Sequence, residues 1–434
     1  MKLAQLNNKK IIIIGKGVEG EAAYNYLSKH LTNAKLKLVD QKDNKNYLKE
    51  QENFDLAIKS PGVAANLLKI PYTTCTNIFF ANHKGRTIGV TGTKGKSTTA
   101  TLIFEMLKKK RNNVFLAGNI GKASVDLLDT LNDQSISVLE LSSFQLQDIK
   151  YSPNVAVLLM ITSEHLDYHK DILSYINAKR NILRFQNKND FAVINRDYIA
   201  SNESDILTNA KTYYISRERK TENGCFALGG KIIVRINGQD EEIIKTAQIK
   251  LLGAHNLENV CAAVMVAKIE GVTNRDIVSI LTSFSGLEHR LEFVGTKQGI
   301  DFYNDSLSTI PEAAIEAIET FDQKVQTLIA GGFDRGLDYK KLAQALLKSN
   351  INTLILFSPS GKRIWEEVVK LGGQSKFKKY DVNNMKQAVI YALDETDSDR
   401  ICLLSPASAS FGTFKDYKDR GEQFKKLVNA IPQS

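Results

Sequence analysis

Cysteine is scarce in this 434-residue chain. The four that occur, Cys75, Cys225, Cys261 and Cys402, stand far apart, and no two form a C-x-x-C pair. That spacing offers neither a structural zinc site nor a disulfide framework, so a reducing cytoplasm is the expected location. Long apolar runs are missing too. None approaches the roughly 18 residues that a membrane-spanning helix needs, and no membrane contact is expected. The opening stretch MKLAQLNNKKIIIIG reads as a buried strand, not as a leader peptide. Low-complexity linkers and short repeats are absent. Cations do exceed anions, for a formal charge of +10. They are scattered in small groups such as KKKR at 108–111, the pattern of solvated helix ends. A nucleic-acid or a polyphosphate partner could also account for the charge, but no nucleic-acid motif accompanies it, so solvated helix ends are the favoured explanation and no nucleic-acid partner is expected.

What is present is an alternation of strands and helices. At roughly 100–200 residues per domain the length suggests two to four domains. Residues 11–14 form an apolar strand, the loop GKGVEG follows, and a helix is predicted over 18–28. The strand KLKLVD ends at Asp40, and FDLAIKSPGV is stopped by Pro61 and Gly62. This is a βαβ pattern with a parallel sheet. Gly15, Gly17 and Gly20 satisfy G-x-G-x-x-G, and Asp40 stands where a dinucleotide-binding fold carries its ribose acid. The second segment opens with strand RTIGVTG and helix KSTTATLIFEMLKKK, in which Leu102, Ile103, Met106 and Leu107 share a face. Strands SISVLEL, NVAVLLMI and FAVIN follow, with a helix predicted over 172–185, short strands over 205–250 and a helix over 256–269. The third segment has strands GIDFYND, VQTLIAGG, NTLILFS and RICLLSP. Helices are predicted over 311–320, 339–348, 362–369, 385–394 and 422–430. The expected fold class is α/β in three consecutive domains. These are a Rossmann-like domain (1–75), a central P-loop mononucleotide-binding domain (76–286) and a C-terminal Rossmann-like domain (287–434).

The sharpest local signal is GVTGTKGKST at 89–98. The usual phosphate-loop spacing fails, because Val90 stands five positions before Gly95. The context is nevertheless right, with a strand before and a helix after. Gly92, Thr93, Lys94 and Gly95 can turn backbone N–H groups toward an anion at a helix N-terminus. Lys96 can reach terminal phosphates, and Ser97 or Thr98 can reach Mg²⁺. Glu140 ends the strand SISVLEL, where an acid in apolar surroundings suits a metal; an exposed strand end is the plainer alternative. In EHLDYH, His165 and His169 are spaced i, i+4, which fits a surface cluster as well as a metal site. NKND at 187–190 matches a guanine-reading motif, but it follows a helix instead of a strand, and no D-x-x-G follows the phosphate loop. A GTPase is therefore not expected.

Taken together, TGTKGKS, GNIG (118–121), ELSSFQL (140–146), EHLDYH, AKRNIL (178–183), GAHNLENVCAA (253–263), GLEHRLE (286–292), NDSLST and LSPASASF resemble the Mur ligases. These are ATP-dependent amino-acid-adding enzymes of peptidoglycan synthesis. The resemblance covers nearly the whole chain in order. Single motifs are shared with folylpolyglutamate synthases. The combination with SPGV and SPASASF is most similar to the branch that joins D-glutamate to UDP-N-acetylmuramoyl-L-alanine.

The resemblance implies activation of a carboxylate as an acyl phosphate, followed by attack of the amine. It implies ATP, two Mg²⁺ and a carbamylated Lys179, with Lys96, Ser97, Glu140, His165 and Lys179 around the metals and phosphates. Asn256 and Asn259 fall on the adenine side, Arg290 near phosphate and Asp305 near the ribose. Asn119, Ser142 and Gln145 fall toward the muramoyl or peptide part. The UDP diphosphate rests on the Gly15–Gly17–Gly20 loop, with Asp40, Gln41 and Lys42 near the uracil. Thr309, Arg335, Ser410 and Tyr417 match the amino-acid site. Leu307 and the loop GGFDRG depart from some members, which carry lysine and GGDGK there. A monomer acting on small molecules is expected. An NAD-dependent oxidoreductase would leave the phosphate loop without a task. A non-catalytic nucleotide-binding regulator would not need Lys96, Glu140, His165 and Lys179 together.

Overall fold

The computed structural model describes residues 1–162 and 171–432. Three sheets organise the chain. The first contains β1 (Lys10–Ile14), β2 (Lys35–Val39), β3 (Leu56–Lys59) and β4 (Tyr72–Thr74), in the order β2-β1-β3-β4 with every pair parallel. Helix α1 (Val18–His30) crosses from β1 to β2. Ile11 to Ile14 are all fully buried, which is why β1 reads as an unbroken apolar run instead of alternating. Helix α2 (Cys75–Asn82) leads out, capped by the Thr74 side chain accepting from the Asn77 N–H.

The second sheet has nine strands. Its parallel part is built from β5 (Arg86–Thr91), β6 (Val114–Gly118), β7 (Ile136–Glu140), β8 (Val155–Leu158), β9 (Phe191–Asn195) and β10 (Lys211–Ser216). Helices α3 (Lys96–Lys108), α4 (Ser143–Leu146), α5 (Ile172–Arg180) and α6 (Ile199–Asn202) intervene. β11 (Gly224–Leu228) pairs parallel to β10, and β12 (Lys231–Ile236) and β13 (Gln239–Lys245) finish as an antiparallel meander. Strand β5 lies inside the sheet, between β8 and β7. Loops leaving the carboxyl ends of such neighbouring parallel strands converge, the usual place for a ligand. Leu102, Ile103, Met106 and Leu107 of α3 are fully buried, as the helical spacing predicts. Helix α7 (Asn256–Ile269) is apolar nearly all round and buried from Val260 to Ala267. Helix α8 (Asn274–Leu281) is amphipathic, burying Ile277, Ile280 and Leu281.

The third sheet runs β14-β15-β19-β16-β17-β18. In chain order its elements are β14 (Glu292–Lys297), β15 (Ile300–Asn304), α9 (Pro311–Thr320), β16 (Val325–Gly331), α10 (Lys340–Lys348), β17 (Thr353–Phe357), α11 (Ser360–Lys370), β18 (Lys378–Val382), α12 (Met385–Glu395), β19 (Ile401–Leu404) and α13 (Tyr417–Asn429). Only the β14–β15 pair is antiparallel. The chain falls into two compact units, residues 1–249 with 255–284, and residues 250–254 with 285–434.

Two of the predicted helices have clearly different bounds, and α2 and α8 lie outside the periodicity-based expectation. The helix predicted over 172–185 stops at Arg180, because the chain tightens into i→i−3 bonds such as Ile182 N–H to Lys179 O at 3.2 Å. The helix predicted from 422 begins at Tyr417, capped by Asp416, whose Oδ1 accepts from the Asp419 N–H at 2.9 Å. NKND forms a self-satisfied turn: the Asn187 N–H and side-chain amide both donate to Asp190 Oδ2, at 2.9 and 2.6 Å.

Candidate active site

The P-loop-like turn is tied to its neighbours by its own hydrogen bonds. Thr91, the last residue of β5, donates through its hydroxyl to the Leu141 carbonyl at 2.7 Å, just past β7. The Thr93 N–H donates to the Met160 carbonyl at 2.6 Å, just past β8. The Tyr175 hydroxyl of α5 donates to Thr93 Oγ1 at 3.1 Å. Gly95, the N-cap of α3, has φ +83°, and a Cβ there would lie 2.1 Å from Asn259 Oδ1. Both the left-handed backbone and the close approach of α7 demand glycine. Asn259 is itself held by the Thr99 hydroxyl at 3.2 Å and donates to Asn256 Oδ1 at 2.7 Å. The predicted pair of asparagines therefore does stand on one face of α7, against the loop.

Two ammonium groups meet on this loop. Lys96 Nζ folds back onto the Gly92 and Thr93 carbonyls, at 3.1 and 2.9 Å. Lys179 Nζ, from α5, donates to the same Gly92 carbonyl at 2.7 Å. Lys179 is only 2% exposed, and its ammonium sits 4.7 Å from the centre of the Tyr175 ring. A solvent-facing lysine is thus excluded for Lys179. Two cations converging in a buried loop make a strong attractor for an anion.

Glu140 closes β7 and is 2% exposed. Its Oε1 accepts from Asn119 Nδ2 at 3.1 Å, while Oε2 is buried with no hydrogen-bond partner among the described residues. A half-satisfied buried carboxylate is costly and fits a site for a hard cation. The Asn119 N–H also donates to the Glu140 carbonyl, at 2.9 Å, fixing the two residues together. His165, with Glu164, Asp167 and His169, lies outside the described residues.

A cleft of about 730 Å³ opens between the first sheet's glycine loop and Asn119. Gly15, Gly17, Asp40, Gln41 and Lys42 line it. Gly15 has φ +102°, and its carbonyl accepts from the Ser60 hydroxyl at 2.8 Å. Gly20 lies behind the loop, packed so closely on the Gly15 carbonyl that a Cβ would stand 1.9 Å from its oxygen. Asp40 spans the loop, accepting from the Lys16 N–H at 2.7 Å and the Lys42 N–H at 2.9 Å. Those amides, first that of Lys42, hold its carboxyl below the usual carboxylate range. Ser142 and Gln145 form a capping box on α4, with the Ser142 N–H donating to Gln145 Oε1 at 2.7 Å. Gln145 Nε2 reaches across to Glu19 Oε1.

The second unit gathers its own predicted residues. Asp305 is buried, accepting from the Ser405 hydroxyl at 2.7 Å and the Leu291 N–H at 3.2 Å. Burial pushes its carboxyl up to about 6. Arg290 lies between His289 and Leu291, both at positive φ, and is half-buried, with its charge helping to hold that of Asp305. Arg335 Nη2 donates to the Thr309 carbonyl at 3.0 Å, so these two residues expected at an amino-acid site are neighbours. Ser410 accepts from the Phe414 N–H through its carbonyl at 3.1 Å, turning the chain into α13, and the Tyr417 carbonyl accepts from the Ser306 hydroxyl at 2.8 Å.

Two residues escaped the sequence reading. Arg420 is fully buried on α13 and donates to Ser306 Oγ (3.0 Å), the Ser306 carbonyl (2.9 Å) and the Ser408 carbonyl (3.1 Å). It ties the NDS turn to the SPASAS loop, and no local pattern marks it. Glu19 lines the cleft from the first turn of α1, where an acid is common for helix-dipole reasons and so draws no notice.

Residues 90–267 match the Mur ligase middle domain, and residues 289–408 match the Mur ligase glutamate ligase domain. UDP-N-acetylmuramoylalanine--D-glutamate ligase of Oenococcus oeni is 37% identical over 437 residues, covering 97% of each chain. The chain belongs to the Mur ligase family. The enzyme of the same name from Acetivibrio thermocellus is 32% identical, covering 98% of this Mur ligase and 97% of its relative. Among solved structures, UDP-N-acetylmuramate-alanine ligase from Thermotoga maritima superposes with TM-score 0.60 at 17% identity, covering 98% of this chain and 100% of that one. A pseudomurein peptide ligase type C from Methanothermus fervidus gives 0.59 at 16%, again over 98% and 100%. These distant likenesses carry the fold. The middle-domain match contains the phosphate loop, Glu140, Lys179, Asn256 and Asn259, and the second match contains Arg290, Asp305, Thr309 and Arg335. No helix among the described residues of this Mur ligase is long and apolar enough to cross a membrane.

Proposed function

We propose that the chain is an ATP-dependent ligase that joins D-glutamate to UDP-N-acetylmuramoyl-L-alanine in peptidoglycan precursor synthesis. The observation that carries this is the meeting of Lys96 and Lys179 on the Gly92 carbonyl, in a loop whose neighbouring strand ends in the half-satisfied Glu140. Full-length relatives at 37% and 32% identity support the choice of D-glutamate. The enzyme acts as a cytoplasmic monomer on small molecules.

A carboxylate and an amine do not condense at neutral pH. The L-alanine carboxylate attacks the γ-phosphorus of ATP, the bond to the β-bridging oxygen breaks, and ADP leaves. The D-glutamate amine then attacks the acyl-phosphate carbonyl. Collapse of the tetrahedral adduct expels phosphate, and the amine proton passes to solvent. Positioning and charge neutralisation dominate such chemistry. Lys96 holds the β- and γ-phosphates, the Gly92–Thr98 backbone cradles them, and Asn256 and Asn259 flank the adenine. Arg290 balances phosphate charge, and Asp305 orients the ribose. The glycine loop, Asp40, Gln41, Lys42 and Asn119 hold the UDP-linked substrate, with Ser142 and Gln145 nearer its peptide end. Thr309, Arg335, Ser410 and Tyr417 hold D-glutamate. Ser97, Glu140, His165 and a carbamylated Lys179 would hold two Mg²⁺, which when bound neutralise charge between the phosphates. The partnerless Oε2 of Glu140 supports such a site. Carbamylation would turn the buried Lys179 cation into an anion with two oxygens.

The two-step course is testable by trapping. With hydroxylamine in place of D-glutamate, ATP and the UDP-linked substrate yield the hydroxamate of the alanine carboxyl. Formation of ADP without any hydroxamate contradicts the acyl phosphate.

A further inference from the structure

The cleft proposed for the UDP-linked substrate contains an acid that the mechanism leaves unused. Glu19 is the second residue of α1 and lines the cleft beside Gly17 and Asn119. Its Oε1 accepts from Gln145 Nε2 on α4. Its Oε2 is buried and has no hydrogen-bond partner among the described residues. The charged and titratable groups around it are otherwise committed. Lys59, at the end of β3, is fully buried, pairs with Asp148 at 3.0 Å and donates to the Val63 carbonyl at 2.9 Å. The Cys75 thiol at the start of α2 is buried and pushed well above its ordinary value, first by desolvation and then by Glu19 itself, so it stays neutral. On the glycine loop, Lys16 pairs with Asp43 at 2.6 Å, and Asp40 has the two backbone amides already described. An ionised Glu19 would therefore set a negative charge in the cleft where a diphosphate must lie, offset only by the already paired Lys59.

We infer that Glu19 is a proton-carrying ligand of this cleft: it takes one proton from solvent as the anionic substrate enters, and the neutral carboxyl donates a hydrogen bond from Oε2. The inference rests on the reading of the cleft as the UDP-substrate site. In the free protein, burial already pushes the Glu19 carboxyl up to about 7, against the opposing effects of the Gln145 hydrogen bond and the Lys59 charge. The sign follows. Below about pH 7 the group is neutral before substrate arrives, and binding is independent of pH on its account. Above it, the proton must be drawn from solvent, and affinity falls by up to roughly tenfold per pH unit. The sugar-linked diphosphate has no group of its own that titrates near neutrality.

Calorimetric titration of the full-length protein with UDP-N-acetylmuramoyl-L-alanine, in two buffers of different ionisation heat at about pH 8, measures the proton directly. Wild type is expected to take up close to one proton, and Glu19→Gln none, since its amide still accepts from Gln145 and is a permanent donor. Affinity of Glu19→Gln should stay flat across the alkaline range where wild type weakens. Gly62 lines the cleft, and its added Cβ would meet nothing within 4 Å, so Gly62→Trp fills the cleft without a clash at its base. If Gly62→Trp binds as wild type does, the cleft is not the nucleotide site. If Gly62→Trp loses binding but wild type takes up no proton, or Glu19→Gln takes up as much, the cleft reading stands and the role of Glu19 is overturned.

Discussion

At the phosphate loop the decisive features are single atoms. The Gly92 carbonyl receives both Lys96 and Lys179, and Glu140 Oε2 has no hydrogen-bond partner among the described residues. Electrostatics of this kind favour the binding of a polyanion together with metal. If Lys179 acts as a carbamate, its truncation removes an anion that a small acid can replace. Lys179→Ala is expected to lose roughly 100-fold or more in turnover, and to recover part of it with acetate or another short carboxylic acid. Phosphate release measured with and without the acid checks this; full activity, or loss without rescue, removes the carbamate from the site. Lys179 also shows what a single residue's sequence cannot reveal. Spacing gives an amphipathic helix with a lysine near its end. Only the packing of α5 under the loop shows that the amine is buried. For Glu140 the sequence left an exposed strand end open, and only its burial in the fold removes that alternative. Arg420 was not legible, because its partners are two serines, Ser408 in the preceding loop and Ser306 114 residues away, and no local pattern links them to it.

At the scale of elements, strands were easier to read than helix ends. β1, β5, β7, β8 and β9 are short apolar runs buried on both faces, and such runs announce themselves. β4, β6, β14 and β18 lie outside the sequence expectation; all four are edge strands, short or partly exposed, with little apolar pattern. The end of α5 was placed too late because Ile182 and Leu183 keep the apolar rhythm and are buried, although the backbone there has left the α-helix. The start of α13 was placed too late because its first turn, Tyr417 to Arg420, is polar; the buried Arg420 is what that turn packs inward. Helix α3 begins at a residue that can only be glycine. Gly95→Ala forces an alanine into the left-handed region and its methyl into Asn259. The variant should lose roughly 1–3 kcal/mol of stability, visible as a lower melting temperature, together with weaker ATP binding. An unchanged melting temperature would show that the loop relaxes freely and that Asn259 is not fixed by it.

Across the whole molecule, three parallel-dominated sheets follow one another in one chain. The dinucleotide-like glycine loop sits on the first, the P-loop-like turn on the second, and the loops proposed for the amino acid on the third. The α/β class and the order of these sheets were legible from strand–helix alternation. The compact units were not, because burial across the first two sheets joins them in one cluster, with Leu27 and Phe79 packed among the same core as Leu139 and Ala156. A ligase of this kind couples all three substrates. Phosphate release from ATP by the purified protein should require both UDP-N-acetylmuramoyl-L-alanine and D-glutamate and should fall to background when either is omitted. Release that is independent of either substrate, or that proceeds with L-alanine, L-lysine or diaminopimelate but not with D-glutamate, would contradict it.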